Sequence, residues 1–286
     1  MAGTGPGAVL ITGAAGGIGV ATTKALTERG YRVYAGVHGP PDELEPMADV
    51  HPITLDVTDP ASVAGAVAQV RAMGDESLAA VVNNAGVIVQ GPLELVPEEE
   101  LRRQFEVNVF GPATVVRQFA PLLRLGPGRL VNITAATARL PSPFFGPISA
   151  SKAALQAMSD ALRLELGHWG IRVVVIEPGA MQTEIFSKAA AAATQAQVNQ
   201  PADQVALYAE QLAAIEAALG AMKHNPPALV ADAIVKAITT SRPKPRYTVG
   251  PDVRLLGLLS RLSLRTRDRL LLRVTGLGKV PPAVPG

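Results

Sequence analysis

The chain has 286 residues, 48% of them hydrophobic and 17% charged, with a net charge of +2 and no cysteine. That balance suits one α/β domain with a large buried core, and it excludes a disordered chain, a disulfide framework and a thiolate nucleophile. The basic bias behind a pI near 9.0 sits in the C-terminal arginines, so the body of the chain carries no nucleic-acid footprint.

No run of about 18 apolar residues lacks a charge, so no transmembrane helix is expected. The opening MAGTGPG has no basic flank and runs straight into a strand, which reads as a cytoplasmic chain rather than a secreted one. That strand, AVLITGA at 8–14, is a short apolar run ending in glycine, as in a central parallel strand. Gly13, Gly17 and Gly19 follow in G-x3-G-x-G spacing, and 18–29 has helical periodicity. Glycines here permit a tight turn and close backbone approach to a pyrophosphate, which the positive end of the helix attracts. Taken alone, the same spacing is equally a plain strand-to-helix turn.

YRVYAGV at 31–37 reads as the second strand, and its end selects the cofactor. An acid there binds the ribose 2′-OH of NAD, whereas a base accommodates the phosphate of NADP. Gly36, Val37 and His38 supply no acid, so His38 favours NADP, with a surface-loop histidine as the alternative. A third strand is expected over 53–57, ending at Asp56-Val57, where Asp56 also suits the cap of a helix beginning near Pro60. The apolar run 78–82 leads into Asn83-Asn84-Ala85-Gly86. Residues 97–125 contain a long amphipathic helix in which Asn108 interrupts the apolar stripe, and a buried amide must find partners.

A strand at 129–134, a Pro-rich loop and a helix carrying Lys152 come next, followed by the apolar strand IRVVVI at 171–176 and Glu177-Pro178-Gly179. Residues 183–225 are rich in Ala and Gln and read as helical, with breaks at Pro201 and at Pro226-Pro227. A further helix over 227–240 and a strand over 246–249 precede a leucine-rich tail, 253–279, studded with arginines. Such a tail is expected to cap the substrate pocket or to pack between subunits, in preference to lying on a membrane surface.

Taken together, TGAAGGIG at 12–19, NNAG at 83–86, SASKAA at 149–154 and PGAMQT at 178–183 closely resemble the short-chain dehydrogenase/reductase family, over 8–250. The resemblance implies an α/β fold with a doubly wound parallel sheet of the Rossmann type. Its single domain, 1–250, would include a helical lid at about 183–225, and the tail 251–286 is expected to pack on that domain or at an oligomer interface. It implies NADP(H) as cofactor and no metal. Gly13, Gly17, Ile18 and Gly19 would then lie at the pyrophosphate, His38 at the 2′-phosphate, and Asp56 and Val57 at the adenine. Asn84, Ala85 and Gly86 would pass beside the cofactor, and Lys152 would hold the nicotinamide ribose. Pro178, Gly179 and Thr183 would hold the carboxamide and phosphates. Asn108 would kink its helix and hold a water. A homodimer or homotetramer through the helices at 97–125 and 149–167 is implied as well.

The chain departs from the family at two positions. On the Y-x-x-x-K spacing the tyrosine position is Ile148, and thirteen residues earlier the serine position is Ala135. In the family the tyrosine transfers the hydroxyl proton and the serine orients the carbonyl. General-acid catalysis is worth about 10²–10⁴ in rate and one oxyanion donor about 10²–10³, so ordinary ketone reduction is not expected. Thr134, Thr137, Ser142 and Ser149 are the nearby hydroxyls, and Tyr208 in the lid is the only substitute acid. Three activities follow. The first is a non-redox conversion of an apolar small molecule (cyclisation, isomerisation or a pericyclic step) beside bound NADP. The second is NADPH-dependent reduction of an imine, iminium or activated enone. The third is a non-catalytic nucleotide-binding subunit.

Overall fold

In the computed structural model, which describes residues 6–38, 47–126, 128–198 and 200–281, seven parallel strands form one sheet in the order β3-β2-β1-β4-β5-β6-β7. They are β1 (Ala8–Thr12), β2 (Arg32–Val37), β3 (Val50–Thr54), β4 (Ala80–Asn83), β5 (Arg129–Ile133), β6 (Arg172–Pro178) and β7 (Arg246–Val249). The central strands read as unbroken apolar runs because helices cover both faces. On one face Val9, Ile11, Val33 and Val131 pack under α1 (Gly17–Thr27) and α9 (Ala228–Thr239), through Leu26, Val230 and Ile234. On the other, Leu10, Tyr34, Val81 and Leu130 meet α2 (Pro60–Ala72) and α4 (Gly111–Arg124) through Val63, Val115 and Phe119. Strand order reverses between β1 and β4, and the crevice outside their carboxyl ends is where open α/β sheets bind ligands.

Two local expectations are corrected. The third strand lies at Val50–Thr54, earlier than 53–57, because its register is set by pairing with β2, Val33 opposite Val50 through Val37 opposite Thr54. Asp56 and Val57 lie in the turn beyond it. Asp59, not Asp56, caps α2, its carboxylate accepting from the Ala61 amide at 2.9 Å with Pro60 at the first helical position. The helix expected within 97–125 runs unbroken from Glu98 to Arg124, as α3 (Glu98–Phe105) and α4 on either side of a π-helical turn at Glu106–Phe110 centred on Asn108.

α5 (Gly146–Gly167) carries Lys152 and starts earlier than Ser149, with Pro147 in its first turn. The lid consists of α6 (Ile185–Val198), α7 (Ala202–Ala206) and α8 (Ala209–Gly220). The tail folds into α10 (Pro251–Leu259) and α11 (Leu264–Val274), with α10 packed on β7 and on the short turn at Ala136–Ala138. Among the described residues no helix is long and apolar enough to cross a membrane.

Candidate active site

The nucleotide side of the crevice is shaped by close backbone approach. Gly13 has φ +62°, and a Cβ there would lie 2.8 Å from Ala85 Cα. A Cβ on Gly19 would meet Gly13 O at 2.5 Å, and one on Gly17 would meet Thr183 Cγ2 at 2.8 Å. The glycine turn and the 178–183 loop therefore touch, and only glycine fits between them. The first turn of α1 has no acidic residue and no capping side chain, which leaves its free amides open to an anion. Ile18 turns inward against the core.

Thr12, at the end of β1, organises the neighbouring turn. Its hydroxyl oxygen accepts from the amides of Asn84 (3.1 Å) and Ala85 (3.0 Å), while Asn84 Nδ2 donates to Thr12 O (3.0 Å) and Gly13 O (2.9 Å). Two strand ends are thus tied together beneath the crevice. At the end of β2, His38 Nδ1 lies 3.5 Å from Asp56 Oδ2 with its imidazole largely in solvent. The Asp56 carboxyl sits below its ordinary pKa: burial pushes it up, but bonds from the Thr58 hydroxyl and amide, with His38 nearby, more than offset that. The 178–183 loop is clamped from outside. Asn225 donates its amide to Ala180 O (2.8 Å) and accepts from the Gln182 amide (2.8 Å), and Asp252 accepts from the Ala180 amide (3.3 Å). A Cβ on Gly179 would fall 2.0 Å from Asp252. These cradles fit a dinucleotide: glycine-lined backbone at a helix N-terminus, a basic group at the end of β2, and a fixed loop across the opening.

Lys152 forms the floor. It is buried, and its Nζ donates to Ile133 O at 2.8 Å. Loss of water pushes its pKa down from 10.5 to about 8. A Cβ on Gly86 would lie 3.3 Å from both Lys152 Nζ and Asn108 Oδ1, so the NNAG turn runs directly over the amine. Asn108 Oδ1 accepts from the Val87 amide (2.9 Å), and its Nδ2 donates to Val87 O (3.0 Å) and Ser151 Oγ (3.2 Å). Gln104 lies one turn earlier. It accepts from the Val89 amide at 2.6 Å and donates to Val87 O (2.8 Å) and Ser151 Oγ (3.1 Å). The buried Ser151 hydroxyl donates in turn to Ile148 O at 3.0 Å. Gln104 and Ser151 were not singled out in the sequence, although Gln104 stands four residues before Asn108, on the same helical face.

The substrate side is apolar. Ile148, one turn before Lys152, is buried with Phe145 and with Ile215 of α8; Ile88, Phe144, Leu219 and Leu277 pack around them. Ala135 begins the turn at Ala136–Ala138 in extended conformation and offers no donor beyond its backbone. Phe144 has φ +65°, a strained conformation for a bulky side chain, and its carbonyl accepts from the Gly91 amide at 2.8 Å. Beside this cluster a cavity of ≈ 240 Å³ is lined by Phe144, Phe145, Leu212, Ile215 and Leu219, with Gln90, Thr194 and Glu216 as polar groups.

The expected substitute acid is directed elsewhere. Tyr208 donates its hydroxyl to Glu94 at 2.7 Å, with its ring edge against Phe144, and that bond raises its pKa. Its hydroxyl is therefore engaged by a carboxylate and makes no bond to Lys152. Thr134 and Ser149 donate to the carbonyls of Ile176 (3.2 Å) and Phe145 (2.7 Å). A second group overlooked in the sequence is Glu177, wholly buried between Arg139 Nη2 (2.6 Å) and Arg246 Nη1 (3.2 Å). Burial lifts its pKa against the pull of both arginines. It fixes the loop after β5 to β6 and β7. Among the described residues no group of three His, Cys, Asp or Glu is placed to hold a metal.

The family model for short chain dehydrogenases matches residues 7–194. The NADPH-dependent 3-dehydrocapnine reductase of Ornithobacterium rhinotracheale is 33% identical over 254 residues, covering 85% of this chain and 87% of the relative. The 3-amino-tetrahydro-pyrrolizinone reductase of Xenorhabdus hominickii is 35% identical over 181 residues, 63% of each chain. Among solved structures, a short chain dehydrogenase from Burkholderia cenocepacia J2315 in complex with NADP superposes with a TM-score of 0.73 at 26% identity, covering 94% of this chain and 98% of that one. With the parallel sheet, the glycine turn and the buried lysine, these matches make the chain a member of the short-chain dehydrogenase/reductase family.

Proposed function

We propose that the protein is an NADP(H)-dependent oxidoreductase whose apolar substrate is a pre-activated acceptor, an imine, an iminium or an activated enone. The observation that carries this reading is the pairing of an intact buried Lys152 with Ile148 in the acid position, one turn away. The reductase names and the NADP-bound neighbour support redox chemistry. When bound, the nicotinamide supplies or accepts a hydride. Lys152 would hold the nicotinamide ribose, Thr183 the carboxamide, and His38 the 2′-phosphate. Asn108, Gln104 and Ser151 keep the 87–89 segment in place beside the reacting centre. Ile148, Ala135, Phe145 and Ile215 exclude water and hold an apolar substrate face. An iminium carbon becomes an amine on gaining hydride and needs no proton from position 148. A neutral imine takes its proton in solution, to enter as the iminium, and an enolate formed from an enone takes its proton from solvent water as it leaves the apolar face.

A second reading, non-redox conversion of an apolar molecule, draws support from the Ile148 cluster and its cavity, which suit holding one reactive conformer. One experiment separates the two. The NADPH-loaded protein is incubated with matched ketones, imines and enones while the NADPH absorbance and product mass are followed together. Product with equal NADPH consumption from imines or enones supports the reductase. Product with none consumed overturns it in favour of the second reading.

A further inference from the structure

The tail is built unlike the rest of the surface. Residues 251–281 carry seven basic and two acidic residues, a net +5 in a chain of net +2, so the remainder is net −3. In the body, Arg32, Arg102, Arg103, Arg139, Arg163 and Arg246 all pair with carboxylates. Arg261, Arg265, Arg269 and Arg273 make no ion pair with any described residue, as is also true of Arg29, Arg71, Arg117, Arg124, Arg172 and Arg242 in the body, but only in the tail is the positive charge left in such excess. Arg265, Arg269 and Arg273 repeat every four residues along α11 and so share one side of it. Among them stand Leu255, Leu258, Leu262, Leu264, Leu272 and Val274, each between 41% and 75% exposed. Excess positive charge and open leucines on the same short segment match a partner that is anionic and apolar at once.

We infer that α10 and α11 form a docking surface for an anionic lipid bilayer, lying in the interface with leucines in the acyl boundary and arginines among the headgroups. Neither helix is long enough to span, so attachment is peripheral. The surface is anchored to the body: Val253 is fully buried, and Asp252 holds the 178–183 loop. Leu277, at the end of the same tail, packs against the cluster of Phe145, Ile148 and Ile215, so the docked face and part of the cluster's surround are one piece of chain.

The test is co-sedimentation of the full chain with phosphatidylcholine vesicles, with and without phosphatidylglycerol, across a salt series. Binding is expected only to the anionic vesicles and falls as salt rises. Each arginine removed lowers it about fivefold, so R265Q/R269Q/R273Q loses about a hundredfold. L258S/L264S weakens binding at every salt concentration. Unchanged circular dichroism and NADPH affinity in both variants show that they fold. Equal binding to neutral vesicles, or no sedimentation with either, overturns the proposal. So does a larger species in solution that L258S/L264S converts to monomer without vesicle binding, which makes the surface a contact between copies. Capture by an acidic polypeptide with no vesicle binding overturns it in favour of a protein partner.

Discussion

The nucleotide side and the substrate side of the crevice are made by opposite means. On the nucleotide side, geometry comes from the backbone: Gly13, Gly17, Gly19 and Gly179 stand where any side chain would collide, and Thr12, Asn84, Asn225 and Asp252 tie the loops by hydrogen bonds. On the substrate side it comes from hydrophobic contact: Ile148, in the position of the family's tyrosine, packs with Phe145 and Ile215. A polar cradle sits against a largely apolar wall. The family joins cofactor binding and proton transfer through the lysine and tyrosine of one helix; here that helix keeps Lys152, and Ile148 stands in the proton donor's position.

The largest test of that separation is to rejoin the halves. Ala135→Ser with Ile148→Tyr is expected to raise kcat/KM for simple ketones by about 10²–10⁴, the range of one positioned general acid. A ketone activity unchanged by the pair, in a variant that still binds NADPH, would mean that the wall does not face the hydride donor. Next in size is Lys152→Met, which should weaken NADPH binding by about tenfold to a hundredfold, the worth of bonds to a charged donor. Stability should move the other way. Because burial lowers the Lys152 pKa from 10.5 to about 8, the unfolded chain holds more protons across that window. Stability of the ligand-free protein therefore rises with pH from about 8 to 10.5, and the full penalty applies below. Thermal melts against pH should show this slope in the parent and not in Lys152→Met, which should melt higher at neutral pH.

Ile148→Ala opens a cavity on the apolar side alone. It should cost about 2–5 kcal/mol by denaturant unfolding while NADPH affinity holds. The smallest expected change is at His38, which is mostly exposed. His38→Asp should shift preference from NADP toward NAD by about tenfold, read from paired titrations.

Much of the nucleotide side was legible because it is local in sequence. Glycine spacings and apolar strands covered on both faces carry their meaning within a few residues, as at 8–19 and 171–179. Errors arose where partners are distant or rivals adjacent. β3 was misplaced because it is an edge strand, half-exposed, with its limits fixed by β2 rather than by its own composition. Asp56 suits the cap of α2 by residue type, yet Asp59, next to Pro60, is the one whose carboxylate reaches the Ala61 amide. Tyr208 was read as a spare acid, but its partner Glu94 lies 114 residues away and nothing near either residue announces the pair. Ser151 bonding Gln104 and Glu177 bonding Arg139 and Arg246 were hidden for the same reason: long-range polar pairs appear only once the sheet has brought strands and helices together.

The central claim is that hydride moves here without an acid at position 148, and the most direct test is isotopic. NADPH deuterated at its transferred position is supplied to the protein with a cyclic iminium and its matched ketone, and product mass is read for each. The account predicts deuterium in the amine and no labelled alcohol. Label in the alcohol at a comparable rate, or unlabelled product with the deuterated cofactor intact, would contradict it.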